Sequence, residues 1–300
     1  MRRKKLALIL TLSISLCIGI SISYKAYRDF QQLEKRKVAW NSLEQAIGNE
    51  IISFKKETSI LVKDLDMDWE ISFNKDKSLP SASLVKVPIM AVCFCAVDEG
   101  LIDLNQRLIL KSRHKVLGSG ELKHRRSGRE FSIEELIGLM ISESDNTAAN
   151  MLIELLGFDY LNDSFKRLGL RDTNISRRMM DFKSRRQGLE NYTTCQDLAY
   201  LLDRIYNNKL INKSTSLKCL ELLKKQKIKD RIPAKLPDEV MVAHKTGLEK
   251  GICHDAGVVF TDKGDFLICV LTKHKNKSSK SAKGFISQIA FLTYNYYQDF

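Results

Sequence analysis

Ser83 and Lys86 stand three residues apart, a spacing that pairs a hydroxyl with an amine wherever the segment is helical. A serine hydroxyl becomes a useful nucleophile only when a base removes its proton. A lysine can be that base once burial or nearby cations draw its proton affinity down. The backbone N–H groups at the start of such a helix offer half of an oxyanion hole. Ser144-Asp145-Asn146 presents a hydroxyl, a carboxylate and an amide in one short corner. Lys245-Thr246-Gly247 supplies a cation and a hydroxyl that can hold a substrate carboxylate, next to a glycine that lets a substrate lie against the backbone. The N–H of Leu248 could complete the oxyanion hole. Each run alone is commonplace: a helix cap with a surface lysine, an N-cap, a strand end with a turn glycine. All three in order amount to a nucleophile, its base, a proton relay and an anion anchor.

The elements that must position these residues can be read from periodicity. Ser59 to Leu65 and Trp69 to Phe73 read as two strands, joined at Asp66-Met67-Asp68 as a hairpin by composition. Val85, Ile89, Met90, Val92 and Phe94 make an apolar helix starting near Ser83. Ser132-Ile133-Glu134-Glu135 is a capping box that opens a helix stopping before Ser144. A second helix begins around Asn146 and ends at Gly157, and others cover Tyr160 to Leu168, Thr194 to Tyr206 and Asn212 to Lys225. Residues 171–192 are polar, basic and weakly periodic, which predicts a long loop of the kind that usually serves a site. Val240 to Lys245, Ala256 to Phe260 and Phe266 to Thr272 predict three late strands, followed by a helix with Phe285, Ile286, Ile289, Leu292 and Tyr296 on one face. Two strands at one end and three at the other predict an α/β (α+β) fold. One antiparallel five-stranded sheet is flanked by helices, and an all-helical lobe is inserted. The expected division is an α/β lobe at 38–80 and 236–300 and a helical lobe at 81–235, with the site in the cleft between them.

The first 24 residues predict a targeting segment. Arg2, Arg3, Lys4 and Lys5 precede an uncharged stretch from Leu6 to Tyr24, 19 residues long. The basic head should stay cytoplasmic, with the remainder outside, tethered in preference to secreted. Residues 25–37 would be a juxtamembrane spacer, running into a helix near 38–55. The formal net charge is +13, and removing the four cations of the head leaves +9. No zinc knuckle, recognition helix or aromatic-basic interleaving points to nucleic acid. Of seven cysteines, six lie beyond the leader, scattered and partly in apolar runs such as Ile268-Cys269-Val270, which fits core packing better than a disulfide framework. The five histidines show no metal-ligand spacing, and no metal or cofactor is implied.

The three runs together are the signature set of class A β-lactamases and penicillin-binding proteins. From about residue 40 onward the chain resembles a class A β-lactamase-like serine hydrolase, most closely at Ser144-Asp145-Asn146-Thr147-Ala148-Ala149-Asn150. The resemblance implies the β-lactamase/transpeptidase fold and a β-lactam or D-alanyl peptide as substrate; a monomer is expected. It implies Ser83 as the acylated nucleophile, Lys86 as general base and Ser144 as proton relay. Asn146 would orient the substrate and Lys86, and Lys245 and Thr246 would bind the substrate carboxylate. One departure concerns release of the acyl group. The loop reads Arg177-Arg178-Met179-Met180-Asp181-Phe182, with Met179 where the family carries a glutamate. Asp181 is the nearest carboxylate and is the expected water-holding group, with Glu190 further on. His244 and the pair His254-Asp255 also differ from common members. Alternatives are a peptidoglycan DD-peptidase or amidohydrolase, and a tethered sensor that acylates without efficient deacylation.

Overall fold

The structure, a computed structural model, describes residues 2–275 and 278–299, with side chains from Ser21 onward. Along the chain come α1 (Arg2–Phe54), β1 (Glu57–Asp64), β2 (Glu70–Phe73), β3 (Leu79–Pro80), a 3-10 turn (Ala82–Val85) and α2 (Lys86–Asp98). Then follow β4 (Arg107–Ile109), β5 (Glu130–Ser132), α3 (Ile133–Ser142), α4 (Asn146–Leu156), α5 (Phe158–Arg167), α6 (Phe182–Arg186) and β6 (Tyr192–Thr193). The chain closes with α7 (Cys195–Tyr206), α8 (Lys213–Lys224), β7 (Val242–Glu249), β8 (Ile252–Val259), β9 (Phe266–Lys273) and α9 (Lys280–Gln298).

The main sheet has five strands in the order β2-β1-β9-β8-β7, antiparallel throughout, so strands from both ends of the chain interleave as expected. The first hairpin turns because Asp64 Oδ1 accepts the N–H groups of Asp66 and Met67, at 3.0 and 2.8 Å. One sheet face packs on α1 and α9, where Trp40 meets Tyr296 edge-on at 5.2 Å. The other face packs on α2 and α7 and merges with the core of the helical lobe. Helix α2 is buried around nearly its whole circumference, Lys86 included.

Three expectations need correction. The insert is not all helix and loop: β4 pairs with β5, and β3 with β6, as short two-stranded ribbons. Lys245-Thr246-Gly247 does not end its strand, because β7 continues to Glu249 and turns at Gly251, whose φ of 77° suits glycine. Ser83 does not open an α-helix but sits within the 3-10 turn that feeds α2. The capping box is present: Ser132 Oγ accepts from Glu135 N–H, and Ser132 N–H donates to Glu135. The cysteines with described side chains are all free, and all but Cys95 are buried. Among the described residues no helix is long and apolar enough to cross a membrane. The leader expected at Leu6 to Tyr24 lies, up to Ile20, outside the described side chains.

Candidate active site

The turn that carries Ser83 enters through strain. Ala82 has φ of 45°, a left-handed conformation that an alanine adopts only when its surroundings impose it. Lys86 N–H donates back to the carbonyls of Ser83 and Leu84, which fixes the offset between nucleophile and amine. Ser83 itself is half-buried, and among the described residues no hydrogen bond holds its hydroxyl. The turn lies beside β7, an edge strand of the sheet. A Cβ on Gly247 would stand 3.3 Å from the Ser81 carbonyl oxygen and 3.4 Å from Ala82 Cβ. The absence of a side chain at Gly247 therefore permits the close approach.

Ser144 lies between α3 and α4, also left-handed, with φ of 55°. Its geometry is held by Asp145, which caps α4 by accepting Ala148 N–H at 2.9 Å and ties down the preceding loop by accepting Leu122 N–H at 2.8 Å. That loop crosses the corner through Gly118 and Gly120. A Cβ on Gly120 would fall 2.2 Å from the Asp145 carboxyl carbon, so only glycine fits there. Asn146 donates from Nδ2 to the Leu117 carbonyl at 3.2 Å, which leaves Oδ1 facing Lys86.

These two corners and β7 meet at their side chains. Lys86 Nζ donates to the Ser144 carbonyl at 2.7 Å and to Asn146 Oδ1 at 2.7 Å, and lies 3.3 Å from Ser144 Oγ. Lys245 Nζ donates to the same Ser144 Oγ at 2.9 Å and to the Thr246 carbonyl at 3.0 Å. One serine hydroxyl is thus shared by two buried lysines. Burial holds Lys86 down to about 7, against the opposing pull of Asp145 and Glu249. Lys245 is also lowered well below its ordinary value, by burial first and by the charge of Lys86 second. A lysine poised near neutrality can accept a proton, and a hydroxyl bridging two amines can pass one on.

A β-lactamase enzyme family model matches residues 42–297, most of the chain. The chain belongs to that family. It is 26% identical over 268 residues to the extended-spectrum β-lactamase PER-1 of Pseudomonas aeruginosa, covering 85% of this chain and 87% of the relative. The β-lactamase of Sphaerobacter thermophilus is 28% identical and superposes with a TM-score of 0.78, covering 87% of this chain and 98% of that one. A leucine-to-glutamate variant of PBP-A, solved as an acyl-enzyme complex with penicillin G, is 27% identical with a TM-score of 0.80, covering 87% of this chain and 97% of that one. This class A β-lactamase-like protein is therefore a serine hydrolase of that fold.

Of the residues singled out from sequence, hydrogen bonds join Lys86, Ser144, Asn146 and Lys245 into one cluster. Thr246 enters through its carbonyl and Gly247 through its bare Cα, and Leu248 follows with its side chain half exposed. Asp181 is not part of that cluster. It caps α6, accepting Ser184 N–H at 3.0 Å and Ser184 Oγ–H at 2.6 Å, and these bonds hold its carboxyl below the usual range. Glu190 is also committed elsewhere: it pairs with Arg177 at 2.7 Å and Arg185 at 2.8 Å, and both arginines also pair with Glu249 on β7. Met179 is held by its backbone, donating to Asn150 Oδ1 at 2.8 Å and accepting from Asn150 Nδ2 at 3.1 Å. Sequence reasoning missed Gly118, Gly120, Asn150 and the four-residue charge cluster. The Gly-Ser-Gly run at 118–120 was the one legible signal among them.

Proposed function

We propose that this chain is an exported serine hydrolase that opens the cyclic amide of β-lactams through an acyl-enzyme on Ser83. The observation that carries the reading is the Ser144 hydroxyl held between Lys86 and Lys245. Neutral Lys86 takes the Ser83 proton as its oxygen attacks the lactam carbonyl carbon. Ser144 delivers a proton to the lactam nitrogen as the C–N bond breaks, and Lys86 reprotonates Ser144. Lys245, with Thr246, holds the substrate carboxylate, and the N–H groups of Ser83 and Leu248 receive the oxyanion. Water then releases the acyl group. The basic head and the uncharged stretch from Leu6 to Tyr24 support a membrane-tethered domain outside the cytoplasm.

A second reading has its own observation. Met179 carries no carboxylate, and Asp181 and Glu190 are engaged by Ser184 and two arginines. On this reading acylation outruns hydrolysis, as in a penicillin-binding DD-peptidase acting on D-alanyl peptides. A fluorescent penicillin pulse followed by an unlabelled chase separates the two. Rapid labelling with rapid loss supports the lactamase, and persistent label supports the second reading. No label on the wild-type chain refutes both.

A further inference from the structure

His254 lies directly across the β7–β8 ladder from Gly247, so its side chain emerges on the sheet face that also carries Lys245. It is fully buried. Its Nδ1 accepts the backbone N–H of Thr272 on β9 at 3.0 Å. An N–H can only donate, so Nδ1 carries a lone pair and Nε2 carries the proton. That Nε2–H then donates to the Pro80 carbonyl at 2.9 Å. Pro80 is the last residue of β3, and two residues beyond it Ala82 takes up its left-handed conformation just before Ser83. The imidazole therefore links two central strands of the sheet to the entry of the turn that presents the nucleophile. It reaches past Gly247, where an added Cβ would stand 3.3 Å from His254 Cβ. A hydrogen bond on the other side completes the clamp: Ser81 N–H donates to the Asn191 carbonyl at 2.8 Å.

We propose that His254 is a positioning residue for acylation: its Nε2–H holds the Pro80 carbonyl and thereby fixes the strained turn in which Ser83 attacks. A turn carrying left-handed alanine relaxes when it loses an anchor, and a small displacement of an attacking oxygen costs much of the rate. The proposal rests on the Ser83 acyl-enzyme reading. It predicts a loss in the chemical step and not in substrate capture, because among the described residues the imidazole hydrogen-bonds the Pro80 carbonyl and Thr272 N–H, and not Lys245, Thr246 or Asn146.

The test measures acylation of the full chain by fluorescent penicillin as a function of probe concentration, giving a limiting rate and a half-saturation concentration. His254→Leu lowers the limiting rate roughly 10- to 100-fold and leaves half-saturation within about twofold. His254→Gln, whose amide can still donate to Pro80, recovers the rate to within about threefold. His254→Asn can accept from Thr272 but is too short for Pro80, and it stays slow. Should the leucine variant fail to fold, the glutamine and asparagine pair decides alone. A wild-type limiting rate in the leucine or asparagine variant overturns the proposal, as does a loss confined to half-saturation. Absence of label on the wild-type chain is a different failure: it removes the acyl-enzyme reading on which the proposal stands.

Discussion

Acylation should follow the deprotonation of Lys86, and the pH at which it levels off reports the environment of that lysine. Burial lowers Lys86 to about 7, since desolvation outweighs the charges of Asp145 and Glu249. A group titrating there is neutral to the extent of about 9% at pH 6, 50% at pH 7 and 91% at pH 8. The acylation rate constant should therefore rise about tenfold from pH 6 to 8, then only about 1.1-fold from pH 8 to 10. A lysine left at its ordinary 10.5 would instead gain roughly 75-fold over the second interval. Stopped-flow labelling with fluorescent penicillin across pH 6 to 10 distinguishes the two. Glu249→Gln removes one of the charges favouring the ammonium and should move the midpoint to lower pH. The same group gives a stability signature. The unfolded chain keeps this proton up to about 10.5 while the folded one loses it near 7, so the unfolded state binds more protons in between. This contribution to stability therefore rises with pH by about 1.4 kcal/mol per unit from pH 7 and is lost as pH falls toward 7. Relative to Lys86→Met, the wild type should gain roughly 2 to 3 kcal/mol between pH 7.5 and 9.5 in denaturant titrations. An acylation rate still climbing tenfold per unit above pH 8, or a stability difference flat with pH, refutes the assignment.

Four further outcomes follow. Ser83→Ala should abolish covalent labelling while the thermal midpoint moves little, since the hydroxyl makes no hydrogen bond among the described residues; stable label on this variant would relocate the nucleophile. Lys245→Ala should raise the half-saturation concentration for penicillin at least tenfold, read from the same labelling curves, and an unchanged value removes its role in holding a carboxylate. Asp181→Asn should leave the label lifetime within twofold, because that carboxylate is occupied by Ser184; a tenfold longer lifetime would make it the water-holding group. Glu190→Ala strips Arg177, 2% exposed, of one of its two partners while Glu249 remains, and the lost charged hydrogen bonds cost about 1.5–3 kcal/mol, a fall in melting temperature on the order of 5 °C by calorimetry.

The sheet was legible because its pattern is local and repeated. Apolar runs with turn residues between them defined strands from both chain ends, and only interleaving lets five such strands share one core. The helices around the site were legible from their caps, with Ser132 and Asp145 doing in the structure what their positions announced. What the pattern hid was long-range. Nothing local marks Asn150 as the residue that clasps the backbone of Met179, since an asparagine inside an apolar helical stripe reads the same whether it faces a loop or another helix. The pairing of Arg177 and Arg185 with Glu190 and Glu249 was equally invisible, because charge complementarity in a basic loop permits many partners. Ser83 lies in a tighter turn than expected because Ala82 swings left-handed to bring the chain against Gly247, a constraint imposed by β7 and not by the residues of the turn.

Several costs of this fold meet at the site. Ala82 and Ser144 both hold left-handed backbone, each against a steric preference worth about 1–3 kcal/mol. Lys86 and Lys245 are both fully buried, and burial lowers the proton affinity of both, that of Lys245 also through the charge of Lys86. No packing argument favours two lysines beside one serine hydroxyl in a hydrophobic lobe. Sequence positions that defy local preference mark where chemistry has constrained the structure. The surroundings offset these costs by rigid anchoring: Asp145 grips two backbone N–H groups, Gly120 makes room for it, and the Arg177 cluster ties the loop of Met179 to β7. The same logic assigns Met179 a consequence. Its backbone is held as firmly as any in the loop, so a carboxylate placed there would be presented, not left to wander. Met179→Glu should therefore shorten the lifetime of the penicillin label at least tenfold in a pulse-chase, with the labelling rate nearly unchanged. A lifetime that stays the same would mean that the side chain at this position does not face the acyl bond, and slow release, on the second reading, would need another cause.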